Sequence, residues 1–305
     1  MSTTFNTILN DMKTSLRQAY GSALSYFLAN LGLLIVVSLI GVFIAIPVVV
    51  LSIIAFSPWN SASWDLMQAW AMANPLFMGT LVVLILIPIV ALFLTVTGSI
   101  YGMTHSLVTR GETKAETAFS YLKRKFFSFM GTGVLLTIIV LLPPVIAWGA
   151  ASYANGYIIT TAMSVPLTIV TFVWVYVTSG LTATVFPAVV NGKPVLDAFK
   201  ESFSLATKYF DRIFGLLTAI VLLLAASFGP VVVAGLAMVY TTLPPITVFS
   251  PIIPVLAGIA LWTVVSVFLW LFLFLPMVRI AWTRVYQELT GGTIASQIPA
   301  EVPIV

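Results

Sequence analysis

From Leu81 to Thr97 the chain reads Leu-Val-Val-Leu-Ile-Leu-Ile-Pro-Ile-Val-Ala-Leu-Phe-Leu-Thr-Val-Thr, and the next charged residue is Arg110. A run this long and this apolar predicts a membrane-spanning helix, because a helix closes its backbone hydrogen bonds internally where hydrocarbon offers no partner. Barrel strands would alternate apolar and polar residues, and this run does not. Six segments share its character, at about 24–56, 75–109, 127–151, 156–190, 213–243 and 251–287. Several exceed the roughly 20 residues of a straight crossing. Tilts, kinks or interfacial extensions are therefore expected.

Composition agrees with that class. Of 305 residues, 60% are apolar and 7% are charged, against about 25% charged in an ordinary soluble domain. So few ionic groups would not cover the surface of a soluble fold of this size. Met1–Leu24 lacks a basic start followed by an apolar core and cleavage site, so the first span is expected to act as an uncleaved insertion signal. With no cysteine, disulfides and thiolate chemistry are excluded.

The cations set the orientation. Lys13 and Arg17 precede the first span, and Arg110, Lys114, Lys123, Arg124 and Lys125 fill the second connection. Lys193, Lys200, Lys208 and Arg212 fill the fourth, while Arg279 and Arg284 close the last span. The connections near 57–74, 152–155 and 244–250 hold no Lys or Arg and one acid, Asp65. The positive-inside bias then predicts six spans with both ends in the cytoplasm. Trp59, Trp64, Trp70 and Tyr153 mark the outer connections, as rings at the headgroup level do. The net charge of +4 is a membrane effect and carries no expectation of nucleic-acid binding.

The basic connections also resemble one another. Leu16-Arg-Gln-Ala-Tyr-Gly-Ser-Ala-Leu-Ser-Tyr-Phe27 and Phe199-Lys-Glu-Ser-Phe-Ser-Leu-Ala-Thr-Lys-Tyr-Phe210 align without a gap. The same register places Gly32-Leu-Leu on Gly215-Leu-Leu and Pro47-Val-Val-Val on Pro230-Val-Val-Val. Ala118-Phe119, Lys125-Phe-Phe127 and Gly131 form a looser copy. The expectation is a single all-α membrane domain over 1–290, built from units at about 8–109, 113–190 and 194–288, followed by a mobile tail, 291–305. Each unit is an amphipathic helix plus a helical hairpin. In the third, Val195, Phe199, Phe203, Ala206 and Phe210 recur at helical steps, the pattern of a helix lying in the membrane surface.

Two sets of residues are candidates for function. Lys123, Arg124, Lys125, Lys200, Lys208 and Arg212 are candidate contacts for anionic lipid headgroups, or topological anchors at the start of each hairpin. Thr160, Ser164, Thr168, Thr171, Thr178 and Thr182 share one face of span four. That face either lines a wet groove or packs on a neighbouring helix, the common use of Ser and Thr in membranes. No acid or base lies in the middle of a span, which argues against proton-driven pumps and retinal proteins. The lone His105 is too few ligands for zinc or a haem pair, and no phosphate loop, HExxH or Gly-x-Ser-x-Gly is present. Neither an enzyme nor a cofactor is expected, and a lipid-directed enzyme built around His105 ranks third. Prolines such as Pro47, Pro88, Pro143, Pro144, Pro166, Pro187, Pro230, Pro254 and Pro276 are sites of kinking or repair.

The repeated Lys-aromatic-Phe and Gly-Leu-Leu elements, with Arg284-Val-Tyr286-Gln-Glu-Leu289 at the end of the last helix, resemble the membrane domain of some bacterial glycerophosphoryl diester phosphodiesterases and its stand-alone relatives. The resemblance covers about 8–290 and implies an architecture and a prokaryotic cytoplasmic membrane. It carries no catalytic residue, since the soluble phosphodiesterase portion is absent from this sequence. The expected role is an accessory or scaffold subunit whose partners are lipids, other membrane proteins or further copies of itself. The competing expectation is a transporter or channel for a lipid-like or uncharged cargo.

Overall fold

The computed structural model describes residues 5–56, 65, 69–70, 73–156, 159–240 and 252–295. Among the described residues, ten α-helices run in order: α1 Phe5–Phe56, α2 Pro75–Arg110, α3 Ala115–Leu136, α4 Leu142–Ala154, α5 Thr161–Thr182, α6 Val185–Val190, α7 Val195–Lys208, α8 Phe210–Tyr240, α9 Ile252–Leu269 and α10 Leu275–Thr290. π-helical turns at Thr137–Leu141 and Trp270–Phe274 join α3 to α4 and α9 to α10. No strand occurs among the described residues.

Six helical stretches are long and apolar enough to cross a membrane: Phe5–Val42, Gly79–Arg110, Ala115–Ala154, Ala162–Val190, Phe210–Gly235 and Leu256–Thr290. The protein is an all-α, multi-pass integral membrane protein. Several stretches outrun the bilayer, as their sequence length requires. At 52 residues, α1 is about 78 Å long against a hydrocarbon core of about 30 Å. Trp70 and Tyr153, among the rings expected at the outer connections, are exposed. Trp59, Trp64, the connection 244–250 and the tail beyond residue 295 lie outside the described residues.

Near two prolines, side chains of a neighbouring helix supply donors to backbone carbonyls. Pro143 has no N–H to give the carbonyl of Ile139, four residues back, and that carbonyl lies in the π-helical turn. The indole Nε1 of Trp174 in α5 donates to it at 3.1 Å, so a side chain replaces the missing backbone donor. Near Pro230 the carbonyl of Ser227 accepts from Trp262 Nε1 at 2.8 Å and from Ser266 Oγ at 3.1 Å. In both cases the donor comes from the helix that follows in the chain.

The chain divides into two compact units that cut across its linear order. One takes Leu28–Met103 and Lys114–Ser204. Its packing rests on glycines that receive aromatic rings or backbone. A Cβ on Gly98 would lie 2.6 Å from the ring of Phe129, and one on Gly102 would strike the ring of Tyr121. Phe129 is fully buried and packs against Phe186, which stacks on Tyr101 at 5.6 Å. At Gly133 the neighbour is backbone: a Cβ would sit 2.9 Å from the carbonyl oxygen of Ala91. Such closeness between α2 and α3 is available only to glycine.

Part of α7 belongs to this unit as well. Its buried line in this unit passes through Ala198, Phe199 and Ser202, at steps of one and three. Of the line expected to face the membrane, Phe199 and Ala206 are buried in the protein, Phe203 is half-buried, and Phe210 is exposed at the start of α8. Ser202 occupies the buried line because its hydroxyl donates to Leu181 O at 2.7 Å and contacts Thr184 Oγ1 at 3.0 Å.

The other unit takes Met1–Phe27, Thr104–Thr113 and Leu205–Val305. Its column is α10, in which Pro276, Met277 and every residue from Arg279 to Gln287 are buried. The same unit also buries Ile8, Ala19 and Tyr26 of α1, Leu107 and Val108 of α2, and Ile213 and Leu216 of α8. Tyr26 is fully buried and its hydroxyl bonds Thr104 Oγ1 at 2.9 Å, while Phe27 stacks on Phe272 at 4.4 Å. Gly291, at φ +71, ends α10 in the left-handed conformation that an L side chain resists, and Gly292 N donates to Gln287 O at 2.8 Å. Within the segment expected as a mobile tail, residues 291–295 are described and Ile294 is buried.

Candidate functional site

The densest chemistry sits where α1, α8 and α10 meet at one end of the second unit. Helix α7 stops at Lys208, and Tyr209 turns the chain so that its carbonyl accepts from Arg212 N and Ile213 N, both at 3.1 Å. This places Arg212 in the first turn of α8. A cation there is opposed by the helix dipole. Two carboxylates compensate: Arg212 Nη2 donates to Asp11 Oδ2 at 2.9 Å and to Glu288 Oε2. Glu288 lies one turn after Arg284, whose Nη2 approaches Glu288 Oε1 at 3.9 Å.

This cluster is mostly out of water. Asp11 is 7% exposed and Arg284 is 9% exposed. Burial makes each charge dependent on its partners, since an ion pair taken from water is favourable only with good geometry and filled hydrogen-bonding sites. The pairing is uneven. Arg212 holds both acids, whereas Nε and Nη1 of Arg284 are buried without a partner, as are Nε of Arg212, Ser15 Oγ and Gln18 Oε1. Beside the cluster is a cavity of about 380 Å³, lined by Asn6, Thr7, Asn10, Asp11, Thr14, Arg212, Arg284 and Glu288. The α1 residues among these recur at helical steps, giving that end of the helix one polar face.

The predicted lipid-contacting cations separate in the structure. Lys123, Arg124, Lys200 and Lys208 are exposed. Lys200 lies 3.8 Å from Asp197, and Lys208 lies over the ring of Tyr209 at 5.3 Å. Lys125 is half-buried, and its ammonium donates to the carbonyls of Val189 at 2.6 Å and Val190 at 2.9 Å, the last residues of α6. There it closes a helix C-terminus, where a cation complements the dipole. Arg212 is the hub of the ionic cluster. Sequence spacing offered one clue to that cluster, the four-residue step from Arg284 to Glu288; Asp11 and Arg212 gave none.

The hydroxyl face of α5 is engaged largely with its own helix. Thr168 Oγ1 donates to Ser164 O at 2.8 Å, Thr178 Oγ1 to Trp174 O at 2.7 Å, and Thr182 Oγ1 to Thr178 O at 2.8 Å. Thr171 accepts from Trp148 Nε1 of α4 at 2.9 Å. Thr160 precedes the helix and is exposed, Thr168 is exposed, and Thr178 and Thr182 are buried. Thus the face runs from surface to interior. His105 is half-buried in α2, and its carbonyl accepts from Thr109 Oγ1 at 2.7 Å.

Comparison of the chain with protein-family models, curated proteins and solved structures finds no match in any of the three.

Proposed function

We propose that this protein is a non-enzymatic accessory or scaffold subunit of a prokaryotic cytoplasmic membrane, contacting lipids, other membrane proteins or further copies of itself. The observation that supports this reading over transport is the engagement of the α5 hydroxyls. A permeation face needs polar groups free to exchange with cargo. Here Thr168, Thr178 and Thr182 donate to backbone within α5, and Thr171 accepts from Trp148. The outward residues Val165, Ile169, Val170, Phe172, Val173 and Val177 form an apolar surface suited to lipid or to another membrane helix. Purification from native membranes in mild detergent is expected to bring down a membrane-protein partner in fixed stoichiometry. A homogeneous lone oligomer would weaken the accessory reading, leaving only contact with lipid and with further copies of itself.

The orientation belongs to the same reading, with both ends and all 13 Lys and Arg on the cytoplasmic side. So does the division into three hairpin units, at 8–109, 113–190 and 194–288, in the manner of the phosphodiesterase-associated membrane domain. One structural correspondence supports that division. Trp174 reaches back 35 residues to Ile139, and Trp262 reaches back 35 residues to Ser227, each to a carbonyl near a proline in the preceding helix. The chain has no native cysteine, so single thiols report topology cleanly. In intact cells, Ser61→Cys is expected to react with a membrane-impermeant maleimide, and Ala115→Cys to react only after the membrane is opened. Reaction of both from one side would overturn the orientation and the hairpin units together.

A further inference from the structure

The cavity beside Arg212 is lined by more hydrogen-bonding chemistry than the fold itself uses. A buried guanidinium without partners is costly, on the order of 1–3 kcal/mol for each unmet group and more where charge is involved. Arg284 nevertheless leaves Nε and Nη1 unmatched, and its nearest acid is 3.9 Å away. That acid, Glu288, is already held by Arg212, and so is Asp11. The two guanidiniums and two carboxylates balance in number, so what the site leaves over is hydrogen-bond donors, those of Arg284. A cation entering the cavity would find both carboxylates engaged, whereas an oxyanion would find a guanidinium with donors to spare. Asn6, Asn10 and Thr14 add amide and hydroxyl groups to the same wall. At about 380 Å³ the space lies near the small end of ligand pockets, which run from about 300 to 1,000 Å³. That suits a headgroup and is too little for a whole lipid.

We infer that this cavity binds a phosphate group, with Arg284 as its anion contact and Asn10 and Thr14 as orienting hydrogen-bond partners. Arg suits that task because its planar fork matches phosphate oxygens two at a time. The phosphate comes either from a phospholipid headgroup or from a free phosphate ester. Its recognition rests on the lipid-contacting reading above only for the first source. Copurification of a protein partner is a separate observable, so either idea can fail alone.

The test uses the full chain in detergent, with binding followed by native mass spectrometry and by the thermal midpoint. Three probes are compared: dihexanoyl phosphatidylglycerol, inorganic phosphate, and dihexanoylglycerol, which has the same tails and no phosphate. The phospholipid is expected to bind at one equivalent and raise the midpoint, and dihexanoylglycerol to do neither. Binding of inorganic phosphate as well would mean that the group alone suffices; binding of the phospholipid only would assign the site to headgroups. Either supports the inference. Arg284→Lys keeps the charge and removes the fork, and Thr14→Leu fills the cavity without touching the ion pairs. Each is expected to weaken phospholipid binding about tenfold or more, as loss of a charge-assisted bond or of space implies. Thr14→Leu also guards against misfolding of the Arg284 variant, since its unliganded midpoint should match the parent. Equal binding by the parent and both variants, equal binding of dihexanoylglycerol, or no binding of either phosphate probe would overturn the assignment.

Discussion

Arg212→Met is expected to lower the thermal midpoint of the detergent-solubilised protein by roughly 10 °C, the equivalent of about 3–5 kcal/mol. The substitution keeps much of the side-chain volume and removes the charge. Asp11 and Glu288 then remain together with only Arg284 nearby, at 3.9 Å from Glu288. A buried and a half-buried carboxylate without their shared cation must either repel or take up a proton, and both outcomes subtract from folding. Because α1, α8 and α10 each supply one member, the loss should reach the whole unit and not one helix end. Adding Asp11→Asn to Arg212→Met is expected to recover part of the deficit, so the two changes will not sum. Differential scanning fluorimetry of the four proteins checks this. A midpoint for Arg212→Met indistinguishable from the parent would show that the cluster is solvated and energetically idle.

The second large effect is expected at Gly133. Its Cβ position is 2.9 Å from Ala91 O, 3.0 Å from Ala91 Cα and 3.1 Å from Leu94 Cβ. Two of these three obstacles are backbone, which cannot rotate away as a side chain can. Gly133→Leu must therefore push α2 and α3 apart, at a cost at or above the upper end of the usual overpacking range of about 1–3 kcal/mol. In a membrane the penalty is not offset by burial of the new side chain, since lipid tails are as apolar as leucine. Gly149→Leu is the control, as nothing lies within 4 Å of its Cβ position. Gly133→Leu should be polydisperse on size exclusion and melt early, while Gly149→Leu should match the parent. Similar behaviour of the two would sink the close-packing account.

These two sites mark where sequence reading succeeds and where it stops. The spanning helices were legible because length and apolarity act locally: Leu81–Thr97 can be little else in lipid. Helical spacing likewise puts Phe199 and Ala206 on one side, but spacing does not say whether that side meets lipid or protein, and both are buried in the protein. Arg212 was not legible as a hub. Its partners are 201 and 76 residues away, and no periodicity links them. Lys125 shows the same limit: nothing in its spacing sets it apart from neighbouring cations, and its ammonium closes α6, 64 residues on. The glycines read as sequence background until Ala91 and the rings of Phe129 and Tyr121 were placed against them. Ionic and steric complementarity belongs to pairs of distant residues, and one sequence without relatives does not reveal pairs.

The burial of α10 on all sides bears on how the protein is made. Asp11 emerges from the ribosome 201 residues before Arg212, and Glu288 follows 76 residues after that. At the usual synthesis rates of about 5–20 residues per second, the N-terminal helix waits some tens of seconds with its acid unmatched. During that interval the groove destined for the last helix stands open. Newborn chains halted before α10 should accordingly be the ones that protein-quality proteases and insertion chaperones recognise.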